Sequence, residues 1–173
     1  RHRRRRRRRC RRAVGVDERR HGRVADVDGD GDVDALSASA GDDTVAWYEN
    51  DGSQSFTERI ISNSANGARS VFAIDVDGDG DVDVLSGSRE DDTVAWYDNF
   101  WSSFGFSSAR TFTTSVLSSK ADGVATVFAI DVDGDGDVDV LSASAYDDTV
   151  AWYENDGSQS FTERIISNSA DAA

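Results

Sequence analysis

Apolar residues come along this chain in short runs of four to seven, broken by glycine, asparagine and aspartate. Val71-Phe72-Ala73-Ile74 is one such run. Val82 to Ser86 follows, with Val82, Val84 and Leu85 as its bulk, and Thr93 to Tyr97 is rich in β-branched and aromatic residues. Phe56 to Ile61 is a fourth, reached through a turn at Asn50-Asp51-Gly52. Run length, β-branched content and the Gly/Asn/Asp punctuation predict strands. No stretch sustains a helical period of about 3.6 residues or carries helix caps. The pattern predicts an all-β chain.

The pattern also repeats. The string DVDGDGDVD occupies Asp26–Asp34, Asp75–Asp83 and Asp131–Asp139, with starts 49 and 56 residues apart. DDTVAWY, starting at Asp42, Asp91 and Asp147, keeps the same spacings, and 42–65 matches 147–170 letter for letter. Four strands in a unit of about 50 residues is the size of a propeller blade. One such sheet cannot bury both faces alone, so neighbouring sheets must stack. The expectation is three four-stranded antiparallel blades of a partial β-propeller, over about 24–66, 67–122 and 123–173. Trp47, Trp96 and Trp152, with Phe72 and Phe128, read as core between blades; sugar stacking is the rival role for the tryptophans.

Charge divides the chain. The net −14 sums two unlike pieces: residues 1–23 hold 13 bases and two acids, +11, and residues 24–173 hold 6 bases and 31 acids, −25. The acidic body argues against nucleic acid as a partner of the repeats and for cations. No apolar run approaches the ~20 residues of a membrane span. The single cysteine, Cys10, excludes an intrachain disulfide framework.

Within each acidic string five aspartates alternate over nine residues, as Asp75, Asp77, Asp79, Asp81 and Asp83 do around Gly78 and Gly80. Carboxylates crowded in this way repel unless a cation sits among them. Calcium suits the site, being a hard cation that takes about six to eight oxygens in flexible geometry. Side chains at positions 1, 3, 5 and 9 can converge, position 7 offers its carbonyl, and glycine at position 6 (Gly31, Gly80, Gly136) permits the sharp turn. An EF-hand would need glutamate at position 12 between helices, where Ser37, Ser86 and Ser142 stand between strand-like runs. The nonapeptide calcium roll is absent. The rival reading is three solvated acidic turns with no ion.

A DVDGDGDVD loop between two strands, in units of 49 and 56 residues, resembles the FG-GAP/VCBS repeat, the blade type of integrin α-subunit propellers and of many secreted microbial proteins. The resemblance covers about residues 24–173. It implies calcium in the hairpin between a blade's first two strands. The implied ligands are Asp26, Asp28, Asp30 and Asp34 with the Asp32 carbonyl in the first copy. The second copy gives Asp75, Asp77, Asp79 and Asp83 with the Asp81 carbonyl, and the third Asp131, Asp133, Asp135 and Asp139 with that of Asp137. Such propellers close with about seven blades, so the remainder is expected from a longer chain or from self-association.

Two places differ between copies. The second unit is seven residues longer, and counting back from Asp131 sets Phe112 against Phe56, which puts the surplus in the last hairpin turn, around 99–110. It carries Phe100, Trp101, Phe104 and Phe106, which read as a fold over the blade edge or as a contact patch. The second-to-third strand turns read Ala40-Gly41, Arg89-Glu90 and Ala145-Tyr146. They lie opposite the acidic loops, where integrin-like propellers meet ligands, and variable tips on a rigid frame suit recognition.

Residues 1–23 read as a disordered arginine-rich tail, with no secretory core of about 7–15 apolar residues. Gly22-Arg23-Val24 stands where Val71-Phe72-Ala73 belongs, so the first blade is expected to lack its opening strand. A start at Arg1 with no methionine anywhere suggests a fragment or a processed product. Both histidines, His2 and His21, fall in the tail, which leaves the repeats without a histidine base or cysteine nucleophile. Asp42-Asp43 and its copies suit turn capping better than a catalytic pair. The sequence therefore predicts a non-enzymatic, calcium-binding propeller segment of an extracellular or cell-surface protein. Its role would be adhesion or binding of a protein or carbohydrate. The alternative is a non-catalytic propeller domain attached to a secreted, for example polysaccharide-degrading, enzyme.

Overall fold

The computed structural model describes residues 20–102 and 109–170. Twelve strands follow in order: β1 Arg20–Ala25, β2 Asp34–Ser39, β3 Thr44–Asn50, β4 Phe56–Ser62, β5 Ala68–Ile74, β6 Asp83–Ser88, β7 Thr93–Ser102, β8 Ala109–Ser118, β9 Val124–Ile130, β10 Asp139–Ser144, β11 Thr149–Asn155 and β12 Phe161–Ser167. They form three four-stranded antiparallel meanders, β1–β4, β5–β8 and β9–β12. The register repeats with the sequence: Leu36 faces Trp47, Leu85 faces Trp96 and Leu141 faces Trp152. The all-β partial propeller stands. Among the described residues no helix is long and apolar enough to cross a membrane.

The core lies between the sheets, because alternating side chains give each sheet two apolar faces. One seam joins Val27, Leu36, Val45 and Trp47 of the first sheet to Val71, Val84 and Tyr97 of the second. The next joins Val76, Leu85, Val94 and Trp96 to Val127, Val140 and Tyr153. Each seam carries an edge-on aromatic pair, Trp47–Phe112 at 6.5 Å and Trp96–Phe161 at 5.8 Å. Such pairs add about 0.5–1.5 kcal/mol beyond their burial. Trp47 and Trp96 are therefore core. Along the first strands Phe72 packs edge-on to Phe128 at 4.9 Å, and Arg23 stacks over Phe72 at 5.1 Å.

Two expectations are corrected. The first sheet keeps its opening strand: β1 pairs with β2 from Arg20↔Ser39 to Ala25↔Asp34. Backbone hydrogen bonds make this ladder and need no apolar bulk, which is why Gly22-Arg23 misled. The tail boundary at residue 23 thus falls inside β1, as does His21, while residues 1–19, with Cys10 and His2, lie outside the described residues. The seven extra residues of the second unit also do more than lengthen a turn. β7 and β8 run ten residues against seven in β3 and β4, with Phe100↔Thr111, Trp101↔Arg110 and Ser102↔Ala109 added to the ladder. Aromatic and β-branched residues favour strand there over turn. Phe104 and Phe106 lie outside the described residues. Phe112 does take the place of Phe56, since Asn99↔Phe112 repeats Asn50↔Phe56.

Candidate metal centre

Each acidic string is the loop between the first and second strands of its sheet. The position-6 glycines sit at φ of 97°, 96° and 102° (Gly31, Gly80, Gly136), a left-handed region that side chains avoid. This bend folds the loop back on its first aspartate. Gly29 and Gly31 donate their N–H groups to the two carboxylate oxygens of Asp26, at 2.9 and 3.0 Å. Asp75 and Asp131 are held in the same way.

Position 9 is a structural pin. Asp34, Asp83 and Asp139 are all but fully buried. In the middle loop Asp83 Oδ2 accepts the N–H of Val76 at 3.0 Å, and Oδ1 accepts that of Asn99 at 2.8 Å. Asp34 takes Val27 and Asn50, and Asp139 takes Val132 and Asn155. One carboxylate thus ties the loop to the end of the third strand. Burial pushes the Asp83 carboxyl up to about 7, although the two N–H donors favour its charged form.

Carboxylate oxygens of positions 1, 3 and 9 converge within 4.8 Å in all three loops: Asp26, Asp28 and Asp34; Asp75, Asp77 and Asp83; Asp131, Asp133 and Asp139. Position 5 stands outside this trio; Asp30, Asp79 and Asp135 each accept the N–H two residues on, at 2.8, 2.8 and 2.9 Å. In the middle loop Asp79 instead meets Asp77 and Asp98. Position 7 turns its side chain elsewhere in that loop, where the Asp81 carboxylate pairs with Arg110 at 2.6 Å. Partial burial, then the charges of neighbouring acids, raises the Asp28 and Asp77 carboxyls above the ordinary range. Three hard oxygen donors with unrelieved repulsion are a donor set that fits a metal ion such as calcium.

The next sheet leans over the first two loops. Asn99 donates to the Val27 carbonyl at 2.9 Å, across the first seam, and Asn155 to that of Val76 at 3.4 Å, across the second. Arg110 donates to the Asp28 carbonyl at 2.5 Å and Gln159 to the Asp77 carboxylate at 2.9 Å. At the other end of the sheets, Asp43 and Asp92 cap the connections to the following sheet, accepting the N–H groups of Gly67 and Gly123 at 2.9 and 3.0 Å. This is the turn-capping role expected of the Asp-Asp pairs. The variable turns share that end, and Arg89 stacks over Tyr146 at 4.6 Å.

The FG-GAP-like repeat profile matches residues 26–86, 75–142 and 131–173. The chain belongs to the FG-GAP-like repeat family. Each of the first two matches runs from the opening aspartate of one loop to the strand after the next, ending at Ser86 in β6 and Ser142 in β10. No curated protein matches the chain. FG-GAP repeats build propeller-like domains that are in general non-catalytic scaffolds, are typical of extracellular or surface proteins and often bind calcium.

For this FG-GAP chain, sequence reasoning named every aspartate of the trios but missed what surrounds them. Asn50, Asn99 and Asn155 recur at the repeat spacing, a signal that was present. Asp98 replaces Glu49 and Glu154, a substitution visible by aligning the copies. Arg110 and Gln159 act across a seam, and no local pattern marks them.

Proposed function

We propose that this chain is a calcium-stabilised stretch of β-propeller from an extracellular or cell-surface protein, serving as an adhesion or ligand-binding scaffold and carrying no reaction itself. The observation that supports it most is the threefold convergence of carboxylates at positions 1, 3 and 9 of the loops. Those residues would hold the ion, with the carboxylates of Asp30, Asp79 and Asp135 and the carbonyls of Asp32, Asp81 and Asp137 completing the shell. Calcium would supply counter-charge that locks each hairpin. The ligand, a protein or carbohydrate, meets the end opposite the loops, where the turns at Ala40-Gly41, Arg89-Glu90 and Ala145-Tyr146 differ while their frame does not. Calorimetric titration of the folded chain should give about three calcium ions, with magnesium much weaker because it demands tight octahedral geometry. Zero stoichiometry in a folded sample overturns the reading.

A further inference from the structure

The two outer faces of the stack are complementary. The third sheet ends on the face that the first and second sheets use to receive a neighbour. At one equivalent position of that face Val27 is 1% and Val76 2% exposed, yet Val132 is 43% exposed. Phe128, Ile130 and Ile166 lie open on the same face of the sheet, where the equivalents Ile74 and Ile61 pack against a neighbour. The first sheet shows the opposite face. Val24 is 71% exposed where Ala129, its equivalent in the third sheet, is 3%, and Phe56 is exposed where Phe112 and Phe161 pack on tryptophans.

What would cover them is written in the repeat. The third sheet docks on the second through Phe161 against Trp96, Asn155 to the Val76 carbonyl and Gln159 to Asp77. Residues 42–65 are identical to 147–170, so the first sheet carries the same set as Phe56, Asn50 and Gln54. Gln54 even shares the positive φ of Gln159, 67° against 60°. Asn50 donates to its own loop at the Val33 carbonyl, as Asn155 does at Val138, and the bond that Asn155 makes across the seam has no counterpart for Asn50 among the described residues. We infer that the open face of the third sheet is the docking site for the first sheet of a second copy of this chain. Phe56 of that copy would pack on Trp152, Asn50 would reach the Val132 carbonyl, Gln54 would reach Asp133, and Arg23 would stack on Phe128. The contact continues the seams already present and is head-to-tail. Two copies joined at both ends make six blades, inside the range of about four to eight that propellers close with. The inference goes beyond the calcium reading and stands without it.

The test is the mass of the full chain in solution, by light scattering and sedimentation over a concentration series. The expected value is twice the 18.8 kDa of one chain. Phe56→Asp and Ile166→Asp each place a charge on one of the two faces, at a side chain exposed in the single chain, so both variants should fold, as circular dichroism would verify. Each alone should lose the dimer, because every seam needs one face of each kind. An equimolar mixture should regain a mass of two chains, since the intact third sheet of Phe56→Asp meets the intact first sheet of Ile166→Asp. A wild-type monomer at all concentrations overturns the inference. So does association that survives either variant, or variants that stay monomeric when mixed.

Discussion

The three loops share nine letters, but the middle one lives in other company than its sisters. Glu49 and Glu154, which flank the outer loops, each have an arginine partner: Arg59 pairs with Glu49 at 2.7 Å, and Arg164 pairs with Glu154. In the second sheet Asp98 replaces the glutamate and Ser115 the arginine, and Asp98 turns to Asp77 and Asp79. Arg110, from the lengthened β8, holds the position-7 carboxylate of that loop and reaches into the first loop as well. The loop's own letters therefore set the donor trio and the pin, whereas the neighbouring strands set the charge around them.

The sharpest break should come at the part all loops share. Asp83→Ala strips two buried N–H groups of their acceptor, at about 1–3 kcal/mol for each. We expect a loss of about 3–5 kcal/mol in urea unfolding with chelator present, a large share of the roughly 5–15 kcal/mol usual for a domain. Asp34→Ala and Asp139→Ala should cost much the same. Asp79→Ala removes an exposed carboxylate that accepts the Asp81 N–H within its own loop, and should change calcium-free stability by no more than about 0.5 kcal/mol. Equal losses at Asp79 and Asp83 would erase the distinction between pin and ligand.

Calcium should act on the ligand side of that distinction. Extracellular modules bind it with dissociation constants of roughly 10⁻⁴–10⁻³ M. At about ten times the dissociation constant, linkage gives ~1.4 kcal/mol per site, or about 4 kcal/mol for three. Chelation should lower the melting temperature accordingly, and Asp79→Ala should remove about one third of the calcium-induced shift. An unchanged shift in that variant would strike position 5 from the ligand set.

Protons should compete with calcium at the middle loop. The folded pKa of Asp83, about 7, lies above its ordinary 3.8, so the calcium-free fold keeps a proton that the unfolded chain releases. Its contribution to stability is full below 3.8 and is lost as pH rises towards 7. Calcium needs the carboxylate, so affinity should fall as pH drops through the same window, with proton release on binding. Calorimetry in two buffers of different ionisation heat reads that release directly. Identical heats in both would mean that Asp83 is already charged.

Much of this was legible because the chain repeats itself. Strand runs, punctuation and the alternating aspartates each appear three times, and the position-6 glycines have the backbone that their place in the loop demands. What escaped was carried by backbone or by distance. β1 is held by a ladder to β2 that Gly22 and Arg23 satisfy as well as valine would. The extra ladder of β7 and β8 hides in a Ser/Gly-rich segment that composition alone reads as turn. The bonds from Asn99 to Val27 and from Arg110 to Asp28 span 72 and 82 residues, and only stacked sheets bring those groups together.

The smallest effect should separate the middle loop from its sisters. Partial burial, and then the charges of Asp77 and Asp79, holds the Asp98 carboxyl above the ordinary range, so this acid is repelled by its own loop. A bound cation relieves that repulsion and Asp98 adds to its attraction. Asp98→Asn should therefore weaken calcium at the middle loop by about 0.5–1 kcal/mol, a few-fold in affinity, for a charge at a partly exposed site. Glu49→Gln should matter less to the first loop, because Arg59 offsets part of the Glu49 charge that Asp28 feels. The double change Asp98→Glu with Ser115→Arg, which copies the outer sheets, should behave like Asp98→Asn. The amides of Gly31 and Gly80, bonded to Asp26 and Asp75, report the two loops separately in a calcium titration followed by NMR. If Asp98→Asn and Glu49→Gln shift their own loops equally, the surrounding charge does not discriminate between the sites, and nine shared letters alone decide affinity.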